Sequence, residues 1–207
     1  MREPRVSIVC IFFNEIKYLQ EAVDSILAQE FTDFELLLVD DGSTDGSTEI
    51  ALAYAQDHPD RVRYLEPPGH ANRGMSAARN LGLRHARGEF IAVADGDDRW
   101  RNGRLREQVA ILDAHSEVRR SVADQTGGFE ESFTGLYEDQ ISQSKVFLAS
   151  GVWFAPQVWL DYRQHGESCS SAVTPADYRR MRRAFLARPV HEAAALCWSD
   201  GDVAAPD

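Results

Sequence analysis

Asp95, Asp97 and Asp98 fall within four residues of one another, directly after the apolar run Phe90 to Ala94. Carboxylates that close repel one another unless something positive stands between them. Mg²⁺ and similar hard cations fill that need, because they take carboxylate oxygens and keep other positions for phosphate. A solvated acidic turn would satisfy the same residues, and the stretch taken alone favours that plainer reading. Two further places change the balance. Phe13-Asn14-Glu15 closes the apolar run that starts at Val6, and Asp40-Asp41 closes the run from Phe34 to Val39.

The elements that must position these groups alternate in a regular way. Val6 to Phe13 is almost continuously apolar, which suits a strand buried on both faces of a parallel sheet. Asn14 is placed to cap the helix that follows, in which Ile16, Leu19, Val23, Ile26 and Leu27 recur at helical spacing. Phe34 to Val39 is a second strand. It runs into Asp40-Asp41-Gly42-Ser43-Thr44-Asp45, a turn with a helix-cap signal, and a helix to about Asp57. Val62 to Glu66 is a third strand, broken by Pro67-Pro68-Gly69-His70. A helix from Ser76 to His85 and a fourth strand, Phe90 to Ala94, complete the pattern. Such alternation predicts a parallel sheet with right-handed crossovers. Ligands of these sheets bind at the carboxyl ends of the strands, where the acidic runs all fall.

Beyond residue 100 the pattern loosens. Leu105 to Ala114 reads as a helix, and Thr126 to Glu131 as a turn. A helix opens at Leu136 and runs to about Ala149. Val152 to Tyr162 holds two short strand-like pieces around Pro156, and Tyr178 to Leu186 is a helix bearing Arg179, Arg180, Arg182 and Arg183. That basic helix reads first as a solvated face or a partner-binding tail. Val203 to Asp207 reads as disordered.

The chain has 207 residues, 43% of them apolar, enough for one domain with a sizeable core. A net charge of −11 argues against nucleic acid as a partner and against non-specific binding to an anionic surface. No apolar run approaches the roughly 20 residues that span a bilayer, and Val6 to Phe13 is too short for a signal peptide. Peripheral membrane association stays open. Cys10, Cys169 and Cys197 are too few and too scattered for a disulfide framework or a zinc site, which fits a reducing cytoplasm.

These motifs resemble, in order, those of a family-2 glycosyltransferase with the GT-A fold. The matching residues are Val6 to Val9 through Asn14-Glu15, Ser25 to Gln29, and Glu35 to Asp45. Ala78-Arg79-Asn80-Leu81-Gly82, Gly88 to Ile91 and Asp95-Gly96-Asp97-Asp98 continue the series. Gly127-Gly128-Phe129 with Glu138-Asp139 resembles the acceptor-side motif, and Tyr162 to His165 with Ser168 the closing motif. The resemblance implies an α/β fold of the GT-A (nucleotide-diphospho-sugar transferase) class, a Rossmann-like, mostly parallel sheet flanked by helices. It implies one domain over residues 1–174, with a donor half (1–114) and an acceptor half (115–174), then a C-terminal helix and tail (175–207).

It also implies an inverting transfer of sugar from a nucleoside-diphosphate sugar to a hydroxyl of a glycan or other acceptor, with Mn²⁺ or Mg²⁺ and a DXD motif. Family habit makes the donor a UDP-sugar. Phe13 would lie against the base, Asp41 would accept a hydrogen bond from it, and Glu15 and Arg79 would join the donor site. Asp95 would contact ribose or metal, Asp97 would be the main metal ligand, and Asp139 would be the general base. His165 suits a metal ligand, a diphosphate contact or, equally, an ordinary surface or loop residue. Arg79 equally suits a pair with Asp40 or Asp95, Trp100 suits a pocket wall or the core, and Glu138 suits acceptor positioning or a helix start.

Two departures stand out. The family places a long segment between the helix ending at Ala114 and the Gly-Gly-Phe motif, whereas here His115 to Val118 runs almost directly into Arg119-Arg120-Ser121. Either the chain is naturally shortened here or an internal stretch is missing near 118–119, and the close match of both flanks favours the second. The Gln-x-x-Arg-Trp motif of processive synthesis is absent, which favours single-sugar transfer. A catalytically degenerate nucleotide-sugar binding module is the alternative. A nucleotidyltransferase is disfavoured, because Phe13-Asn14-Glu15 is neither a glycine-rich phosphate loop nor basic.

Overall fold

A computed structural model describes residues 3–115, 126–132, 137–150, 154–166, 173–183 and 185. The bridge near 118–119, the first strand-like piece at Val152, Ser168, Cys169, Cys197 and the C-terminal tail lie outside the described residues.

The first half forms β1 (Val6–Phe12), α1 (Leu19–Leu27), β2 (Phe34–Asp40), α2 (Ser47–Asp57), β3 (Val62–Leu65), α3 (Met75–His85) and β4 (Phe90–Asp95). The strands form one sheet in the order β3-β2-β1-β4, and every pairing is parallel. Every residue of β1 and β2 is buried, as their unbroken apolar runs require. Val6, Ile8, Cys10 and Phe12 pack with α1, α2 and a further helix, α4 (Arg104–Ala114). Val9 and Ile11 face the other way, towards Ala78 of α3. The period of two along a strand thus divides β1 between two cores. Each fully buried Ile, Leu or Val contributes roughly 1.5–3 kcal/mol.

After β4 the chain makes β5 (Arg99–Trp100), then α4, then α5 (Glu138–Ala149) and β6 (Leu160–Asp161). β6 returns antiparallel to β5, with Arg99 opposite Asp161 and Trp100 opposite Leu160. Residues 175–183 are helical. This helix starts at 175 rather than at Tyr178, because Thr174 caps it through Asp177 N–H (3.2 Å) and Pro175 takes the first helical position. Among the described residues no helix is long and apolar enough to cross a membrane.

Asn14 does not cap α1, which begins at Leu19. Its side-chain Oδ1 instead accepts the Thr44 N–H at 2.7 Å, and Ile16 stays 45% exposed ahead of the helix.

At the amino edge of the sheet Glu35 is buried at 2% exposure. It accepts bonds from Ser7 Oγ (2.6 Å) and from Arg87 N (2.8 Å), Nε (2.9 Å) and Nη2 (2.7 Å). Burial pushes the Glu35 carboxyl up, but the Arg87 and Ser7 bonds outweigh it and hold the group below its ordinary value. A lowered folded value stabilises above the unfolded pKa, near 4.3, and that contribution fades as pH falls through the folded value. Glu35→Gln is therefore expected to cost about 2 kcal/mol at neutral pH. Denaturation measured from about pH 7 down to about pH 3 should show the deficit shrinking as the wild-type carboxylate protonates.

Candidate active site

The strand order reverses direction between β1 and β4, since β2 and β3 lie on one side of β1 and β4 on the other. The carboxyl ends of strands flanking such a switch point diverge and leave a crevice. Phe13 to Glu15 leave β1 at this edge, and Asp95 to Asp98 leave β4.

The loops after β1 and β2 are tied to each other. Asp41 N–H donates to the Phe12 carbonyl (2.9 Å), Asn14 N–H to Ser43 Oγ (3.0 Å) and Ile16 N–H to Asp45 Oδ2 (3.0 Å). The two adjacent aspartates have separate tasks. Asp40 points inward and accepts from Ser43 N (2.8 Å), Thr48 Oγ1 (2.6 Å) and Tyr64 OH (3.2 Å). Asp41 accepts the N–H groups of Arg73 (2.7 Å) and Gly74 (2.9 Å). Burial raises the Asp41 carboxyl above its ordinary value, the two N–H bonds work against that, and the Asp40 charge adds to the rise. Each Asp41 oxygen keeps a second lone pair for a further donor. Gly42 sits at φ +86°, where a Cβ would meet Asn72 N at 2.7 Å and the His70 carbonyl at 2.9 Å. Glycine lets the 70–74 loop close this tightly on the end of β2. Phe13 beside it is 44% exposed, an aromatic face left open at a strand end.

The acidic loop divides its labour. Gly96 N–H donates to the Ile11 carbonyl at 2.9 Å, extending the β1–β4 ladder past Asp95. A side chain at 96 would press Phe12 Cβ at 2.6 Å. Asp95 Oδ1 accepts Arg79 Nη2 at 2.8 Å. Asp97 Oδ2 lies 3.1 Å from His165 Nε2. Glu15, Asp97 and His165 bring one ligand atom each within 4.8 Å of one another, all partly buried. Two carboxylates and an imidazole that converge at a strand-end crevice fit a divalent cation. Glu15, expected among the donor contacts, is in this cluster. Asp95, expected as a metal ligand, is held by Arg79.

Asp98 turns inward at 6% exposure and accepts the Arg163 N–H at 3.0 Å. Burial pushes its carboxyl up to about 6, against that N–H bond and with help from the Asp97 and Asp95 charges. Arg104 lies near, its guanidinium 3.7 Å from the Trp100 ring centroid. Trp100 is core at 2% exposure, not a pocket wall.

On the acceptor side Arg79 is buried and bridges two carboxylates, Asp95 and Glu138. Glu138 also accepts Ser76 Oγ at 2.9 Å, and burial raises its carboxyl despite Arg79. Arg79 is therefore paired with Asp95, as one sequence reading has it, and with Glu138 as well. The Gly127-Gly128-Phe129 motif closes on α3, with Asn80 Nδ2 donating to the Phe129 carbonyl (2.9 Å) and Phe129 N–H to Asn80 Oδ1 (2.8 Å). Asp139 stands exposed in the first turn of α5, near enough for its charge to act on Arg79 and Glu138. Sequence reasoning assigned no role to Arg163 and none of this buried kind to Glu138. Both stand inside motifs, Glu138 in the acceptor-side motif and Arg163 in the closing motif, but membership alone gave neither its partners.

The model of the family described as glycosyl transferase family 2 matches residues 7–165. Glycosyltransferase GlyG of Streptococcus pneumoniae serotype 4 is 44% identical over 94 residues, covering 45% of this chain and 30% of GlyG. EpsE of Bacillus subtilis (strain 168) is 40% identical over 112 residues, 54% of this chain and 40% of EpsE. TuaG of the same organism, whose name assigns it to teichuronic acid biosynthesis, is 35% identical over 111 residues, 53% of this chain and 42% of TuaG. The aligned part thus spans less than half of each of these relatives.

Among solved structures, S. aureus TarS 1–349 in complex with UDP-GlcNAc superposes with a TM-score of 0.73 at 21% identity, over 93% of this chain and 70% of that one. Mannosyltransferase PcManGT from Pyrobaculum calidifontis, in complex with GDP-Man and Mn²⁺, gives 0.73 at 21% identity, over 100% of this chain and 67% of that one. The fold is GT-A, and with a family model matching most of its length the chain belongs to glycosyl transferase family 2.

Proposed function

We propose that this protein moves a sugar from a nucleoside-diphosphate sugar to an acceptor hydroxyl, with inversion at the anomeric carbon and with a divalent cation. The observation that carries this reading is the Glu15–Asp97–His165 cluster at the switch point, flanked by the open face of Phe13 and the buried Asp41. A cation held there, Mn²⁺ or Mg²⁺, supplies positive charge against the diphosphate as it leaves.

In this reading Phe13 stacks on the base, and Asp41 accepts an N–H of the base through its remaining lone pairs. Asp95 meets the ribose. Arg79 serves the donor by holding Asp95 in place, since Asp95 and Glu138 already take its two Nη nitrogens. The acceptor oxygen attacks the anomeric carbon from the face opposite the diphosphate, and the bond to the diphosphate oxygen breaks. Asp139 takes the acceptor's proton as that bond forms. A single displacement inverts the centre.

UDP-sugars are the first donors to test, with GDP-sugars second, because neighbouring folds are known with each. TuaG's name points to a glycan or polysaccharide acceptor. The free, buried Cys10 thiol fits a reducing cytoplasm. The donor half, residues 1–114, carries the base and metal residues apart from His165, and the acceptor half supplies Asp139 and His165.

The first experiment is thermal unfolding with UDP or GDP, each with and without Mn²⁺. A ligand bound only to the folded state at 100 times its Kd adds roughly 2.7 kcal/mol. One nucleotide with Mn²⁺ should raise Tm clearly, and neither component alone should match it. No shift with any nucleoside diphosphate would remove the basis of the reading.

A further inference from the structure

The segment that carries His165 to the cluster is held by its neighbour at position 163. β6 pairs with β5 immediately after the acidic loop, and Arg101 N–H donates to the Trp159 carbonyl at 2.9 Å. Past β6 the pairing gives way to contacts made by Arg163. Its backbone N–H donates to Asp98 Oδ1 at 3.0 Å. Its Nε donates to the Asp97 backbone carbonyl at 3.0 Å. Its Nη2 reaches Glu21 Oε2 on α1 at 2.5 Å. The guanidinium lies 4.7 Å from the centroid of the Tyr18 ring, and the His165 ring lies 4.7 Å from the same centroid. Arg163 and His165 thus both meet Tyr18.

We propose that Arg163 is a positioning residue for the cation cluster, fixing His165 against Asp97 by clamping the 162–166 segment to the 97–98 loop and to α1. This inference rests on the reading of Glu15, Asp97 and His165 as a divalent cation site. Asp97 and His165 come from segments 68 residues apart in sequence, and neither β6 nor a helix reaches position 165. Arg163 supplies the link: it touches the backbone of one ligand residue and stacks on the aromatic ring that flanks the other. A fork of nitrogens is needed, because Nε and Nη2 face different partners at the same time. Groups that orient metal ligands in this way govern affinity although they never touch the ion.

The test is Mn²⁺ binding followed by the electron paramagnetic resonance of the free ion, in wild type, Arg163→Ala, Arg163→Lys and Glu21→Gln, with Tm recorded for each. Arg163→Ala is expected to weaken Mn²⁺ binding roughly 10–100-fold. Arg163→Lys keeps the charge but offers one nitrogen, and should fall between wild type and alanine; it carries the test if the alanine variant does not fold. Glu21→Gln removes the charge of the half-exposed α1 anchor and should leave affinity within about threefold of wild type. In turnover, the Arg163 variants should need more Mn²⁺ for half-saturation and recover most of kcat once saturated. Wild-type Mn²⁺ affinity in both Arg163 variants would overturn the proposal while leaving the cation site standing. Absence of Mn²⁺ binding by the wild-type protein would overturn the cation site and the proposal together.

Discussion

Asp139→Asn is expected to lower kcat by roughly 10²–10⁴-fold, the usual contribution of a positioned general base, without weakening the donor. An amide cannot accept the acceptor's proton, yet it has nearly the size and polarity of the carboxylic acid it replaces. Asp139 is exposed in the first turn of α5, so its removal disturbs no core. The helix start loses one favourable negative charge, about 0.3–1 kcal/mol, and the buried Glu138–Arg79 pair holds that turn to α3 regardless. The signature is a loss of kcat at unchanged KM for the donor, with the nucleotide-dependent rise in Tm intact. An Asp139→Asn variant with wild-type turnover would take the base assignment away. A wild-type protein that binds the nucleotide but never turns over would be a binding module instead.

Asp97→Ala should act at an earlier step. Asp97 contributes to the only cluster of three metal-capable side chains found among the described residues. Asp98 is turned inward onto Arg163 N–H, and Asp95 gives one oxygen, Oδ1, to Arg79. The variant should lose the Mn²⁺-dependent part of the thermal shift and roughly 10²–10³-fold or more in kcat/KM, the scale seen when one stabilising group is removed from a developing charge. Stability without ligand should change little, since relief of repulsion with the neighbouring carboxylates offsets the lost bond to His165. A retained Mn²⁺-dependent shift would place the ion elsewhere.

Much of this arrangement was legible in the sequence because the physics behind it is local or periodic. Continuous apolar runs at Val6 to Phe13 and Phe34 to Val39 are what a doubly covered parallel strand requires, and both strands are fully buried. Parallel pairing then forces all carboxyl ends to one edge, so Glu15, Asp41, Asp95 and Asp97 gather there. Which carboxylate faces which partner was not legible. Asp95 and Asp97 differ by two positions, but one faces Arg79 from α3 and the other His165 from the segment after β6. Asn14 looks like a helix cap by type and position, yet its side chain serves a long-range bond to Thr44. Glu138 resembles an acidic residue starting a helix, and its burial against Arg79 and Ser76 depends on how α5 docks. Arg163 belongs to the closing motif, but its task was not legible, because its partners are spread over Glu21, Asp97 and Asp98.

The most direct measurement is release of nucleoside diphosphate from a panel of nucleotide sugars, each with Mn²⁺, using wild type and Asp97→Ala side by side. Transfer chemistry at the switch point predicts that at least one nucleotide sugar is cleaved well above the enzyme-free rate. It also predicts that chelating the metal or substituting Asp97 abolishes that cleavage. A panel in which no nucleotide sugar is cleaved, or in which cleavage is the same with Ala at position 97, would contradict it.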